Sequence, residues 1–96
     1  MHYRNGREAK NGDKIVQLGM QYDGTKDEHG APVAKPVITG FGILFNAQPG
    51  NDYCNGSIAP LLGGAVVGAC MCDCLHVDDL IALLAEKGLD KRPAGK

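Results

Sequence analysis

The sequence predicts a mainly β domain, formed as a small barrel or a strongly bent antiparallel sheet, with one short C-terminal α-helix packed over one opening. Glycine accounts for 14 of 96 residues, about twice its usual share of roughly 7%. Asn-Gly pairs, which favour tight turns, recur along the chain, and apolar β-type runs lie between them. A chain of 96 residues forms one domain, because two cores would each have too few residues.

The β-type runs predict the strands, and Gly40 and Gly42 indicate a bend or bulge inside the second run. We expect the polar, proline-containing segment 22–36 to be a long loop that is either mobile or functional. The predicted strands are 14–21, 37–46, 53–59 and 65–75.

One helix is predicted over residues 79–87. Asp78 suits the N-cap, an apolar stripe follows, and Gly88 suits the C-terminal stop. The predicted domain therefore covers residues 1–89, and residues 90–96 are expected to form a flexible tail.

The charge distribution excludes some functions. The formal net charge is −1, and no Lys or Arg occurs from Pro36 through Glu86. Duplex nucleic-acid binding needs a concentrated basic face, so we do not expect it. The N-terminus has no apolar signal region and no stretch is suited to span a bilayer, which predicts a cytoplasmic protein with reduced thiols and no membrane association.

A run of alternating cysteines and a histidine is the most distinctive sequence feature: Cys70, Cys72, Cys74 and His76. On a straight strand they share one face at a spacing of roughly 6.5 Å, which is too wide for a single ion without a bulge. Core packing with no cofactor is therefore the main prediction. The alternative is a zinc-stabilised or thiol-active domain in which Cys54 joins Cys72, Cys74 and His76 across neighbouring strands.

No phosphate-binding glycine motif and no Gly-x-Ser-x-Gly motif is present, so we predict a non-enzymatic protein. Polar groups at the predicted strand ends suit a small anionic ligand, since Arg binds phosphate, Tyr stacks and turn amides bind oxygen atoms. The candidate ligand-binding residues are Tyr3, Arg4, Asn5, Arg7, Lys26, His29, Asn55 and Ser57.

Residues 3–16, with Gly12-Asp13-Lys14-Ile15-Val16 opening the first strand, resemble the start of small SH3-like barrels of the KOW type. Together with the segments 54–60 and 74–80, they resemble small uncharacterised proteins of tailed bacteriophages and prophages. The resemblance implies an accessory or counter-defence protein that binds a host protein or sequesters a nucleotide-like ligand in the host cytoplasm. It implies no catalytic or ligand residues.

The small, glycine-rich core also predicts self-association into a homo-oligomer, with residues 65–71 as the candidate strand.

Overall fold

The computed structural model describes residues 1–48 and 54–94. The chain is mainly β, as predicted, with one C-terminal helix. Tyr53, which we placed in the third strand, lies outside the described residues. The elements are β1 (Lys14–Lys26), β2 (Pro32–Phe45), β3 (Asn55–Pro60), β4 (Val67–Cys70), a 3-10 turn (Met71–Asp73), β5 (Cys74–His76) and α1 (Val77–Glu86).

The described strands form one antiparallel sheet in the order β4-β3-β2-β1-β5. The edge strands β4 and β5 are joined only by the three-residue 3-10 turn. Because so few residues link the two edges, the sheet must bend until they approach each other at one corner. The predicted bent sheet is confirmed, and the alternative of a closed barrel is not formed.

The core lies on the inner face of this bend. Ile15, Leu44, Ile58, Met71 and Cys74 are all completely buried. Small residues let the strands approach each other around them. A Cβ atom added at Gly42 would overlap the carbonyl oxygen of Ala59 on the neighbouring strand.

The predicted bulge is present near Gly40. The register between β1 and β2 shifts between the pairs Gln17–Gly40 and Leu18–Ile38, so β2 carries one extra residue there. This irregularity separates the part of the β1–β2 pair that forms the core from a part that projects beyond it.

The prediction of a long loop over residues 22–36 was wrong. β1 continues to Lys26 and β2 begins at Pro32, so only residues 27–31 connect them. Backbone hydrogen bonds between the two strands do not require apolar side chains, so a polar segment can still form strands. The Asp27 carboxylate stabilises the turn that joins them, because it accepts hydrogen bonds from the amides of His29 and Ala31.

The prediction of one long strand over residues 65–75 was also wrong, because the 3-10 turn interrupts it. The helix starts two residues earlier than predicted, and its N-cap is His76, whose side chain accepts from the Asp78 amide. Gly88 has the left-handed conformation expected of the stop, with φ of 71°. The helix contacts β5 and β1 and has no fully buried residue.

Candidate metal centre

Three thiols meet at the corner where the edges of the sheet approach each other. The Sγ atom of Cys54 lies 2.8 Å from that of Cys70 and 3.5 Å from that of Cys72. All three sulfur atoms lie within 4.8 Å of one another. Cys54 immediately precedes β3, Cys70 ends β4, and Cys72 lies in the 3-10 turn. We call this group the thiol cluster.

The 3-10 turn is the reason that Cys70 and Cys72 converge. On a straight strand their side chains would be separated by two residue rises, or roughly 6.5 Å. The turn contracts the backbone at Met71–Asp73 and directs both thiols toward Cys54. It therefore supplies the irregularity that a metal site in this run of cysteines requires.

Backbone contacts hold the turn on both sides. The Met71 amide donates a hydrogen bond to the Cys54 carbonyl at 2.7 Å. On the other side, the Arg4 guanidinium donates to the Cys72 carbonyl at 3.2 Å and lies 3.6 Å from the carboxylate of Asp73. The cluster is thus fixed by main-chain groups and by the N-terminal segment as well as by contacts between its own sulfur atoms.

Hydrogen bonds within the cluster shift the pKa values of two of its thiols in opposite directions. The hydrogen bond with Cys70, and secondarily that with Cys72, lowers the pKa of the Cys54 thiol. The same contact with Cys54 raises the pKa of the Cys70 thiol. Cys72 is exposed and the other two are half-buried, so the group is open to solvent.

Cys74 and His76, which the sequence placed in the alternative zinc site, lie outside the cluster. Cys74 is completely buried in the core, its thiol donates to the Cys70 carbonyl at 3.4 Å, and burial raises its pKa to about 11. Nδ1 of His76 accepts from the Asp78 amide at 3.0 Å, and Nε2 lies 3.7 Å from the Asp13 carboxylate. Cys70 is the cluster residue that the predicted ligand set omitted.

One signal in the sequence pointed to this arrangement. Asp is depleted from strand interiors, yet Asp73 stands inside the run that we predicted to be a continuous strand. If the strand is interrupted at Asp73, the spacing of a straight strand no longer applies to the cysteines. The preference for core packing over a metal site, which was based on that spacing, then loses its basis.

Four of the predicted ligand-binding residues form contacts within the chain. The Tyr3 hydroxyl is buried and donates to Asp13 at 2.6 Å. Asn5 and Arg7 each donate to the carboxylate of Asp79 at 2.9 Å, and Arg4 holds the 3-10 turn. These residues join the N-terminal segment to the helix and to the corner of the sheet.

The other four candidates lie elsewhere. Lys26 ends β1, and His29 lies in the turn that follows. The start of β1 lies next to Tyr3, which bonds Asp13, and the length of the strand puts its two ends about 40 Å apart. Asn55 and Ser57 lie on β3, next to the thiol cluster. The structure therefore does not gather the eight residues into one pocket, and recognition of a host protein or an anionic ligand stays a prediction.

No family model, curated protein or solved structure matches this chain. The bacteriophage resemblance accordingly also stays a prediction. Within residues 1–48 and 54–94, no helix combines the length and the apolar character that crossing a membrane requires.

Proposed function

We propose that the protein is a zinc-binding domain whose site consists of the thiolates of Cys54, Cys70 and Cys72. The convergence of the three sulfur atoms within 4.8 Å of one another carries the proposal. Thiolates are soft ligands that suit zinc, which binds sulfur at about 2.3 Å in a tetrahedron.

The spacing of the cluster is close to that of a zinc site. Two sulfur atoms in a tetrahedral zinc site lie about 3.8 Å apart. The Cys54–Cys72 separation of 3.5 Å is already near this value, and the Cys54–Cys70 separation of 2.8 Å must widen by about 1 Å.

Three protein ligands leave a fourth position for water or for a ligand from outside the chain. The exposed side of the cluster at Cys72 provides access to that position. The ion would link the start of β3 to the 3-10 turn, and would thereby stabilise the corner at which the sheet edges meet.

Cobalt titration tests the proposal, because tetrahedral thiolate sites give intense visible cobalt bands and a sulfur-to-metal charge-transfer band. We expect one cobalt ion per chain, displaced by one zinc ion, in metal-free reduced protein. Cys70→Ser and Cys72→Ser should each weaken binding and reduce the charge-transfer band.

Cys74→Ala is the matched control, because it removes a cysteine from the same run that lies outside the cluster. It should retain the spectrum and the stoichiometry. The proposal fails if the wild-type protein shows no stoichiometric thiolate spectrum, or if Cys74→Ala abolishes the spectrum while Cys70→Ser leaves it unchanged.

A further inference from the structure

Two sulfur atoms of the thiol cluster are separated by a distance that lies between those of two bonded states. The Sγ atoms of Cys54 and Cys70 are 2.8 Å apart. In a disulfide the two sulfur atoms lie about 2.05 Å apart, whereas two sulfur ligands of one tetrahedral zinc ion lie about 3.8 Å apart. The pair must therefore approach by about 0.8 Å to form a disulfide and separate by about 1 Å to bind zinc.

The backbone keeps these two cysteines next to each other. Asn55 pairs with Cys70 in the antiparallel register of β3 and β4, and Cys54 immediately precedes Asn55. On the other side of Cys70, the Met71 amide donates to the Cys54 carbonyl at 2.7 Å. Two reactive groups that are held in contact react with each other far faster than with the same groups on a second chain. The fold thus favours a bond within the chain.

Oxidants in solution have access to the cluster but not to the fourth cysteine. Cys72 is exposed, and Cys54 and Cys70 are half-buried. Cys74 is completely buried, and its thiol donates to the Cys70 carbonyl at 3.4 Å. Because oxidation of cysteine depends on exposure, the three cluster thiols are open to it and Cys74 is protected.

We propose that Cys54 and Cys70 form a reversible disulfide that excludes zinc, so that the proposed zinc site is also a redox switch. This inference rests on the proposed function, because it concerns the regulation of the same site. Zinc is bound by thiolates, and sulfur atoms that are joined in a disulfide are no longer thiolates. Oxidation would leave Cys72 as the single thiolate of the cluster, and one thiolate does not form a tetrahedral zinc site.

Hydrogen peroxide balances the reaction. One thiolate of the pair attacks a peroxide oxygen, so that an S–O bond forms, the O–O bond breaks and hydroxide leaves. The other thiolate attacks the sulfur of this sulfenic acid, so that the S–S bond forms, the S–O bond breaks and a second hydroxide leaves. Two protons from solvent convert the hydroxides to water. The two sulfur atoms lose two electrons, the peroxide gains them, and Zn²⁺ is released with its charge unchanged.

Treatment of zinc-loaded, reduced protein with one equivalent of hydrogen peroxide tests the proposal. A colorimetric zinc chelator should detect one zinc ion released per chain, and the number of free thiols should fall from four to two. Dithiothreitol should restore both the thiols and zinc binding. Untreated protein, denatured in the presence of the same chelator, reports how much zinc was bound at the start.

Cyanogen bromide cleavage identifies the disulfide. It cuts after Met71, so Cys54 and Cys70 are the only cysteines of fragment 21–71, and Cys72 and Cys74 belong to fragment 72–96. After oxidation, fragment 21–71 should lose the mass of two hydrogen atoms and should separate from fragment 72–96 without a reductant. A covalent link between the two fragments would overturn the assignment, because the disulfide would then include a cysteine of fragment 72–96.

Two variants serve as controls. Metal-free Cys72→Ser should form the disulfide as the wild type does, because Cys72 is not part of it, and loss of the disulfide in this variant would contradict the proposal. Zinc-loaded Cys74→Ala should release zinc as the wild type does, since Cys74 lies outside the cluster; retention of zinc by this variant would contradict the assignment as well.

The failure of the switch and the failure of the zinc site give different results. If untreated protein yields one zinc ion on denaturation but keeps it after peroxide treatment, the zinc site stands and the switch is refuted. If untreated, zinc-loaded protein yields no zinc on denaturation, the zinc site itself is refuted, and the inference about its regulation fails with it.

Discussion

Replacing Tyr3 with Phe should destabilise the protein at neutral pH and should also change how its stability depends on alkaline pH. Tyr3 is 3% exposed, and its hydroxyl donates to Oδ2 of Asp13 at 2.6 Å. The same oxygen accepts from the Lys10 amide, and the other carboxylate oxygen lies 3.7 Å from His76. The substitution keeps the buried ring and removes one member of this polar network.

The cost at neutral pH follows from the charge of the acceptor. A hydrogen bond to a charged group contributes about 1.5–3 kcal/mol to the free energy of unfolding. In a domain of this size that loss corresponds to a decrease of about 6–24 °C in melting temperature. Tyr3 is almost fully buried and Asp13 is partly buried, so solvent screens the interaction only partly.

The pH dependence follows from the pKa of Tyr3, which burial, and then the hydrogen bond to Asp13, raise above its ordinary value of 10.0. The stabilisation is fully present below pH 10 and decreases above it, because the unfolded chain then loses its proton while the folded chain retains it. At pH 11 the unfolded state gains about 1.4 kcal/mol from this ionisation.

Urea denaturation of the wild type and of Tyr3→Phe, at one protein concentration with reduced thiols, measures both effects. The difference between their free energies of unfolding should be largest from pH 7 to 9 and should narrow by about 1.4 kcal/mol at pH 11. Tyr22→Phe, which removes an exposed hydroxyl, is the control and should change stability little at pH 7. A wild-type minus Tyr3→Phe difference that is constant from pH 8 to 11 would refute the reasoning.

Three further predictions concern the proposed zinc site, the sheet and the N-terminal segment. Zinc at 100 times its dissociation constant should raise the free energy of unfolding of the wild type by about 2.7 kcal/mol. Thermal melts should show an increase of about 10–20 °C in melting temperature, which Cys74→Ala should retain and Cys72→Ser should lose. Gly42→Ala should destabilise the fold by more than about 3 kcal/mol in urea titrations, because the added Cβ atom overlaps the backbone carbonyl of Ala59. Gly68→Ala is the control, since its Cβ atom would meet nothing within 4 Å. Equal stability of the two variants would contradict the close approach of the strands at Gly42. Arg7→Ala should lower the melting temperature slightly and leave zinc binding unchanged, because Arg7 pairs with the carboxylate of Asp79 on the helix. Loss of zinc binding in this variant would instead show that Arg7 belongs to the site.

Much of the fold could be predicted from local patterns. The apolar runs located the central parts of β1 and β2, the paired glycines located the bulge, and Gly88 located the end of the helix. The extension of β1 and β2 into residues 22–36 was missed because most side chains of this segment are polar and it contains two prolines. Backbone hydrogen bonds with the opposite strand stabilise it, and no single-strand pattern reports them.

The candidate site was predicted only as a set of residue types. The sequence singled out the cysteines and indicated that they need an irregularity to converge, which the 3-10 turn supplies. It assigned Cys74 and His76 to the alternative site, although Cys74 is buried in the core and His76 caps the helix. Likewise, Arg7 and Asn5 were predicted to bind a ligand but contact Asp79, 72 and 74 residues away in the chain.

Local residue patterns were enough to predict the elements whose causes are local: the β-rich character, the turns at Asn5-Gly6 and Asn11-Gly12, the apolar stripe of the helix and its stop at Gly88. Which thiols meet became visible only in the folded sheet, because Cys54 is separated from Cys70 by 16 residues and their convergence depends on the pairing of β3 with β4. The fold also decides which polar side chains form contacts within the chain and which apolar side chains of β1 and β2 remain exposed. These properties depend on distances between segments that are remote in sequence, and such distances are set only when the whole sheet has bent and its edges have met.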